Sequence, residues 1–279
     1  MGRKKQAATD FTAEQLPKNR RELFFDCIRQ RPLTFIRIGL MSLLFLSPLL
    51  VLYFFRDLGL MNISSALAAG RTDEASALAQ SKALCNFAAL LAVPLSAPAA
   101  VGTAGTVRII RQLVWGEGVF FHRDFADGVK ANWLSYTAIF VLAAFIVFML
   151  TCVNNLMPDS FAGAISFGVA AVVFLPAALF MLSQEAVYEV KFFQCAKNAF
   201  ALYVKTVAPS LLAVVCMAVP FLLTLINIIL LKYLLFAAVA VFVLPLLIAA
   251  WFIYSCHAFD KYINCRFHPE LVGKGMNGK

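Results

Sequence analysis

Six intervals of this chain contain no Asp, Glu, Lys or Arg at all: 38–55, 83–107, 131–158, 160–184, 206–231 and 233–259. A helix crosses the hydrocarbon core of a bilayer in about 20 apolar residues. One such interval could be the buried helix of a soluble domain; six in 279 residues cannot. Only 14% of the chain is charged, where soluble domains carry about a quarter. The pattern predicts an all-α polytopic membrane protein. Its six transmembrane helices are expected at about 33–55, 84–106, 133–153, 161–183, 207–228 and 234–255, paired as three hairpins.

The charges between the intervals set the orientation. Of the 24 Lys and Arg residues, twenty fall in 1–37, 108–130, 191–205 and 261–279, and only Arg56, Arg71, Lys82 and Lys232 fall in the alternate connections. The positive-inside rule then places both termini in the cytoplasm, which needs an even number of spans. The basic loops face an anionic inner leaflet as their first partner. The net charge of +9 follows topology and does not gather on one face, so nucleic acid is not the expected partner. Residues 1–32 contain no apolar segment of the signal-peptide type. The seven cysteines are scattered without a CxxC pair and read as small hydrophobes.

Taken in order, residues 1–18 form a polar cytoplasmic tail expected to be disordered, and 19–268 form the membrane domain. Leu23, Phe24, Cys27 and Ile28 share one face of an amphipathic helix that ends before Pro32. Residues 56–82 are expected as the main external loop, with an Ala-rich, helical middle from Ile63 to Ser81. The second span is expected to run on through Arg111 to Trp115, turn at Gly116-Glu117-Gly118, and lead into a surface-lying helix with Phe121, Phe125, Val129 and Trp133 on one side. A third amphipathic stretch, Glu185 to Tyr203, precedes a tight hairpin centred on Lys232. Residues 269–279 are expected as a flexible cytoplasmic tail.

Inside the spans the informative residues are Pro48, Pro94, Pro98, Pro176, Pro220 and Pro245, with the small residues Gly102 and Gly105 after the second pair. Each proline frees a carbonyl four residues back. Two readings stay open: broken helices lining a solute path, or kinks used only in packing. The span middles lack ionisable residues, which argues against proton pumping or intramembrane hydrolysis. Cys256, His257, Asp260, Cys265 and His268 gather metal-ligand types, but one helix cannot bring them all to one face. No catalytic residue, cofactor or metal is assigned, and the expectation is a non-enzymatic protein.

The stretch 94–133 resembles the YesL-like family of bacterial integral membrane proteins. The likeness is carried by Pro98, Gly102 and Gly105 in a span, Arg108 and Arg111 at its basic exit, and the turn Gly116-Glu117. It continues through Phe120, Phe121, Asp124 and Phe125 to Lys130, Asn132 and Trp133. The opening of the first span, Arg31-Pro32-Leu33-Thr34-Phe35, is similar too, although Gly39 and Met41 stand where the family tends to carry Leu-Asn. The resemblance implies a bacterial cytoplasmic membrane protein without an established active site. It also implies an accessory or regulatory role beside a sugar transport system. The candidate cytoplasmic interface is Arg111, Glu117, Phe121, Asp124, Phe125, Lys130, Asn132 and Trp133. The alternative is a carrier or channel for an uncharged or amphiphilic solute through the proline-kinked helices.

Overall fold

A computed structural model describes residues 17–156, 161–188 and 190–276. The tail expected up to residue 18 lies almost wholly outside the described residues, as do most of the turn at 154–160 and the last three positions of the tail expected over 269–279. Among the described residues there is no strand. Five helices are long and apolar enough to cross a membrane, and a pair bent by 45° makes a sixth when taken as one span. The protein is an all-helical, membrane-embedded, multi-pass chain.

The amino-terminal half is built from long, continuous helices. Helix α1 (Arg20–Gln30) starts at Asn19, whose side chain accepts from the Glu22 N–H, and it ends before Pro32. Its apolar face turns onto protein: Leu23 and Cys27 are buried, and the Cys27 thiol donates to the Leu113 carbonyl at 3.5 Å. Helices α2 (Pro32–Ala68), α3 (Glu74–Val114) and α4 (Phe121–Leu156) have 37, 41 and 36 residues. At 1.5 Å per residue each is roughly 55 Å or longer, well beyond a hydrocarbon core of about 30 Å.

The expected external loop over 56–82 shrinks to a short turn, because both flanking helices run on into it. Gly70, at φ 68°, ends α2 while the Arg71 N–H bonds the Ala66 carbonyl at 2.9 Å. Asp73 then caps α3. The surface-lying helix expected before the third span is likewise no separate element; it is the first third of α4. Of its stripe, Phe121, Phe125 and Val129 pack on the core, while Trp133 is 51% exposed. Two glycines make room for the stripe. A Cβ on Gly105 would lie 2.6 Å from the Phe125 ring, and one on Gly128 would meet Arg108 Cβ at 2.5 Å.

The carboxy-terminal half is segmented. Helix α5 (Phe161–Val169) passes through a π turn at Ala170–Phe174 into α6 (Leu175–Val187). Helices α7 (Phe192–Lys205) and α8 (Val207–Ala218) follow, and α8 tightens into a 3-10 turn at Val219–Leu225. Helices α9 (Ile229–Phe242) and α10 (Leu244–Phe259) form the bent pair. A second π turn, Asp260–Asn264, leads to the short α11 (Cys265–Phe267). The reversal of the third hairpin lies at the non-helical residues Ile226–Ile228, so Lys232 falls inside the first turn of α9. This hairpin does not close on itself: α8 leans on α6 and α7, while α9 lies along α2. Helix α3 is the axis of the bundle and touches α1, α2, α4, α6 and α10.

Candidate functional site

The prolines divide into two groups. Pro48, Pro94 and Pro98 lie inside unbroken helices, and the second span is therefore not a broken helix. Pro94 faces outward, while the hydroxyls of Ser96 and Thr103 donate to the Val93 and Ala99 carbonyls of their own helix, each at 2.7 Å. Gly102, buried next to them, lets the Phe45 side chain approach to within 2.5–2.8 Å of where a Cβ would stand. The real interruptions come at the other three. Pro176 follows a π turn, Pro220 opens the 3-10 turn, and Pro245 follows the 45° bend.

The candidate residues of the basic end turn out to hold the bundle together more than they face outward. The half-buried Arg111 donates from Nη1 to the Ala186 carbonyl of α6 at 2.8 Å, and its guanidinium lies 4.6 Å from the Trp115 ring centre. The Lys274 ammonium lies 3.8 Å from the same centre and pairs with Glu117 at 3.1 Å. The indole is thus shared by two cations. Asp124 accepts from the Phe120 N–H at 2.6 Å and satisfies a free donor at the start of α4. Phe125 is buried and stacks with Phe45 at 5.8 Å. Phe121 and Asn132 are half-buried, and only Lys130 and Trp133 of the eight are exposed.

The end of the described chain folds back on this region. Asp260 accepts from Arg20, from Asn264 at 2.7 Å and from the Gly273 N–H at 3.1 Å. Asn264 in turn accepts from the Tyr188 hydroxyl at 2.5 Å. Gly275 lies so close to Val114 that a Cβ there would meet its carbonyl oxygen at 2.0 Å, and Met276 packs on the core. The five residues of metal-ligand type are dispersed, with Cys256 buried, Cys265 exposed and His268 beside Glu270 at 3.3 Å. Among the described residues no three His, Cys, Asp or Glu side chains are grouped as metal ligands.

Two features escaped the sequence reading. At the opposite end of the bundle, the buried Asp57 of α2 pairs with Lys232 of α9 at 2.5 Å and with Arg56 at 2.6 Å, and accepts from the Tyr233 hydroxyl at 3.1 Å. The signal for this was available: Asp57 and Lys232 flank charge-free intervals on the same side of the predicted topology. The second feature is a polar layer in the core. Tyr136 donates to the Leu182 carbonyl at 2.6 Å and Trp251 to the Leu179 carbonyl at 3.1 Å, which with Arg111 tie α4, α10 and α3 to α6. Within that stretch of α6, Gln184 is fully buried and neither end of its amide has a hydrogen-bond partner. Thr106 and Ser255, also fully buried, have unpartnered hydroxyls. Nothing in the hydropathy pattern separates such residues from ordinary span polar groups.

Thiol and phenol groups around the basic end are held in their neutral forms. Burial pushes the Cys27 thiol up to about 11, helped by the neighbouring Asp26 carboxylate. Burial also raises Cys195, with Glu185 adding to it, and raises the Tyr188 phenol, with Cys256 and Asp260 adding to it. Protonated thiols are poor nucleophiles and poor metal ligands.

Fold and site together define a polytopic helical membrane protein whose long amino-terminal helices are tied to a segmented carboxy-terminal half at both ends. Comparison with protein-family models, with curated proteins and with solved structures returns no match to this chain.

Proposed function

We propose that the protein is a non-enzymatic accessory or regulatory component of a membrane assembly, acting through its basic end. One observation carries this reading. Arg111, Glu117 and Asp260 are engaged in tying helices and tail together, while Lys130 and Trp133 project from the same rigid platform. A braced surface with an exposed cation and indole suits docking of another membrane protein near the headgroups. The link to sugar import rests on the resemblance in 94–133, as does the assignment to a bacterial cytoplasmic membrane. The charge asymmetry supports cytoplasmic termini.

The test is oligosaccharide uptake in a deletion strain complemented with the wild type or with Lys130→Glu/Trp133→Ala. Uptake should fall on deletion and return only with the wild type. Unchanged uptake of every oligosaccharide tested sinks the reading. A second reading, a carrier for an uncharged or amphiphilic solute, draws its support from the breaks at Pro176, Pro220 and Pro245, no longer from the second span. Purified protein that by itself moves a labelled sugar across vesicle membranes would favour it.

A further inference from the structure

Helix α7 carries three stripes. Cys195, Ala199 and Leu202 are buried against the bundle. Phe193, Phe200 and Val204 are 87%, 52% and 57% exposed, an apolar stripe suited to the membrane interface. The third stripe, Gln194, Asn198, Ala201 and Lys205, walls a cavity of about 450 Å³, a volume within the range of small-molecule sites.

The facing wall is made by Tyr262, Ile263, Phe267 and His268. The site is thus polar and basic along α7 and apolar and aromatic opposite. Among the described residues no carboxylate lines it. The Lys205 ammonium lies 5.2 Å from the Tyr262 ring centre, with Lys261 5.3 Å from the same ring, and among the described residues it has no acidic partner. Of the nearby described acids, Asp260 is engaged with Arg20, and Glu270 stands behind the wall against His268. Phe267, 73% exposed, leaves an apolar surface at the mouth. A neutral occupant would leave the ammonium unanswered, and a small soluble anion would leave the aromatic wall uncovered.

We propose that this cavity binds the headgroup of an anionic phospholipid. Lys205 takes the phosphate, and the Gln194 and Asn198 amides bond the headgroup oxygens. The upper acyl chain lies on Ile263 and Phe267. Basic pockets beside membrane helices bind anionic headgroups in this way, and the exposed stripe of α7 sets the mouth at headgroup depth.

The experiment uses the full chain, delipidated in detergent, with dihexanoyl phosphatidylglycerol, dihexanoyl phosphatidylcholine and glycerol 3-phosphate as probes in titration calorimetry. The expected result is that phosphatidylglycerol binds at least about tenfold more tightly than the other two, the factor set by one charge-assisted contact. Lys205→Gln should erase that preference, Ala201→Phe should abolish binding by filling the cavity, and Lys197→Gln, off the stripe, should leave it intact. Both Ala201 and Lys205 are exposed in the unfilled cavity, and circular dichroism of each variant confirms that helix content is kept. Equal affinity for phosphatidylcholine, or a preference that survives Lys205→Gln, overturns the proposal. Glycerol 3-phosphate binding as tightly as the lipid overturns the lipid assignment in favour of a soluble phosphate.

Discussion

The two halves of the molecule use the same residue in opposite ways. In α2 and α3, three prolines are absorbed by helices of 37 and 41 residues. In the second half, three prolines each coincide with a π turn, a 3-10 turn or a 45° bend. The neighbours explain the difference. Pro98 is followed by Ala99 and Ala100, strong helix formers. Pro176 and Pro245 end the runs Val-Val-Phe-Leu-Pro and Val-Phe-Val-Leu-Pro, where β-branched and aromatic residues already weaken the preceding turn. A proline breaks these helices where the residues before it hold the helix weakly, and not where neighbours are scarce, since Pro176 and Pro245 are fully buried while Pro94 is exposed.

The sharpest way to break this comparison is to separate the halves. Asp57→Ala leaves the partly buried Lys232 without its carboxylate and should cost up to about 3 kcal/mol, the lower end of what breaking a buried pair costs, read as a fall in the unfolding midpoint in detergent. The double variant Asp57→Leu/Lys232→Leu should recover most of that loss. Gly39→Ala comes next. Its Cβ would lie 1.9 Å from the Val241 carbonyl oxygen, so α2 and α9 must part at about 1–3 kcal/mol.

Proline replacement then tests the asymmetry itself. Pro98→Ala should change stability by about 1 kcal/mol or less with no change in helix direction. Pro245→Ala should straighten the bend, read as a longer spin-label distance between the far ends of α9 and α10. An unchanged distance would mean that packing and not Pro245 sets the 45° angle. The smallest effect lies at the α3 cap. The Ser76 hydroxyl and N–H hold the Asp73 carboxyl below its ordinary range. A depressed folded pKa gives stability that is present above the unfolded carboxylate value, about 3.9, and is lost as pH falls through the folded value. Amide exchange in the first turn of α3 should therefore quicken below about pH 4 in the wild type and be insensitive to pH, once corrected for intrinsic rates, in Asp73→Asn.

Helix class and multi-pass character were legible in the sequence, because charge-free length acts locally. The particular partners of two glycines in 94–133, Phe125 against Gly105 and Arg108 against Gly128, were not. The long reach of α2 and α3 past the charges was less legible. Arg56, Asp57, Arg71 and Lys82 read as loop residues until the buried Asp57 is seen to have a partner 175 positions away. The apolar faces of α1 and early α4, expected on the membrane surface, are covered in part by protein for a related reason. An amphipathic stripe reports that something apolar covers it, and protein and lipid serve equally. The close approach of α9 to α2 at Gly39 had no local signal, since it depends on a glycine meeting a backbone carbonyl across the bundle.

Asp260 holds Arg20 and the Gly273 N–H together, and Pro17 and Gly275 line one small cavity. The two ends of the described chain are therefore neighbours in space, already closed into a ring by a carboxylate. A covalent link between them would cost little loop entropy. New termini could then be opened at Gly70, where a tight exposed turn with a φ of 68° joins α2 to α3. A circularly permuted version should insert with the same bundle intact, its old ends internal and its new ones on the other side of the membrane.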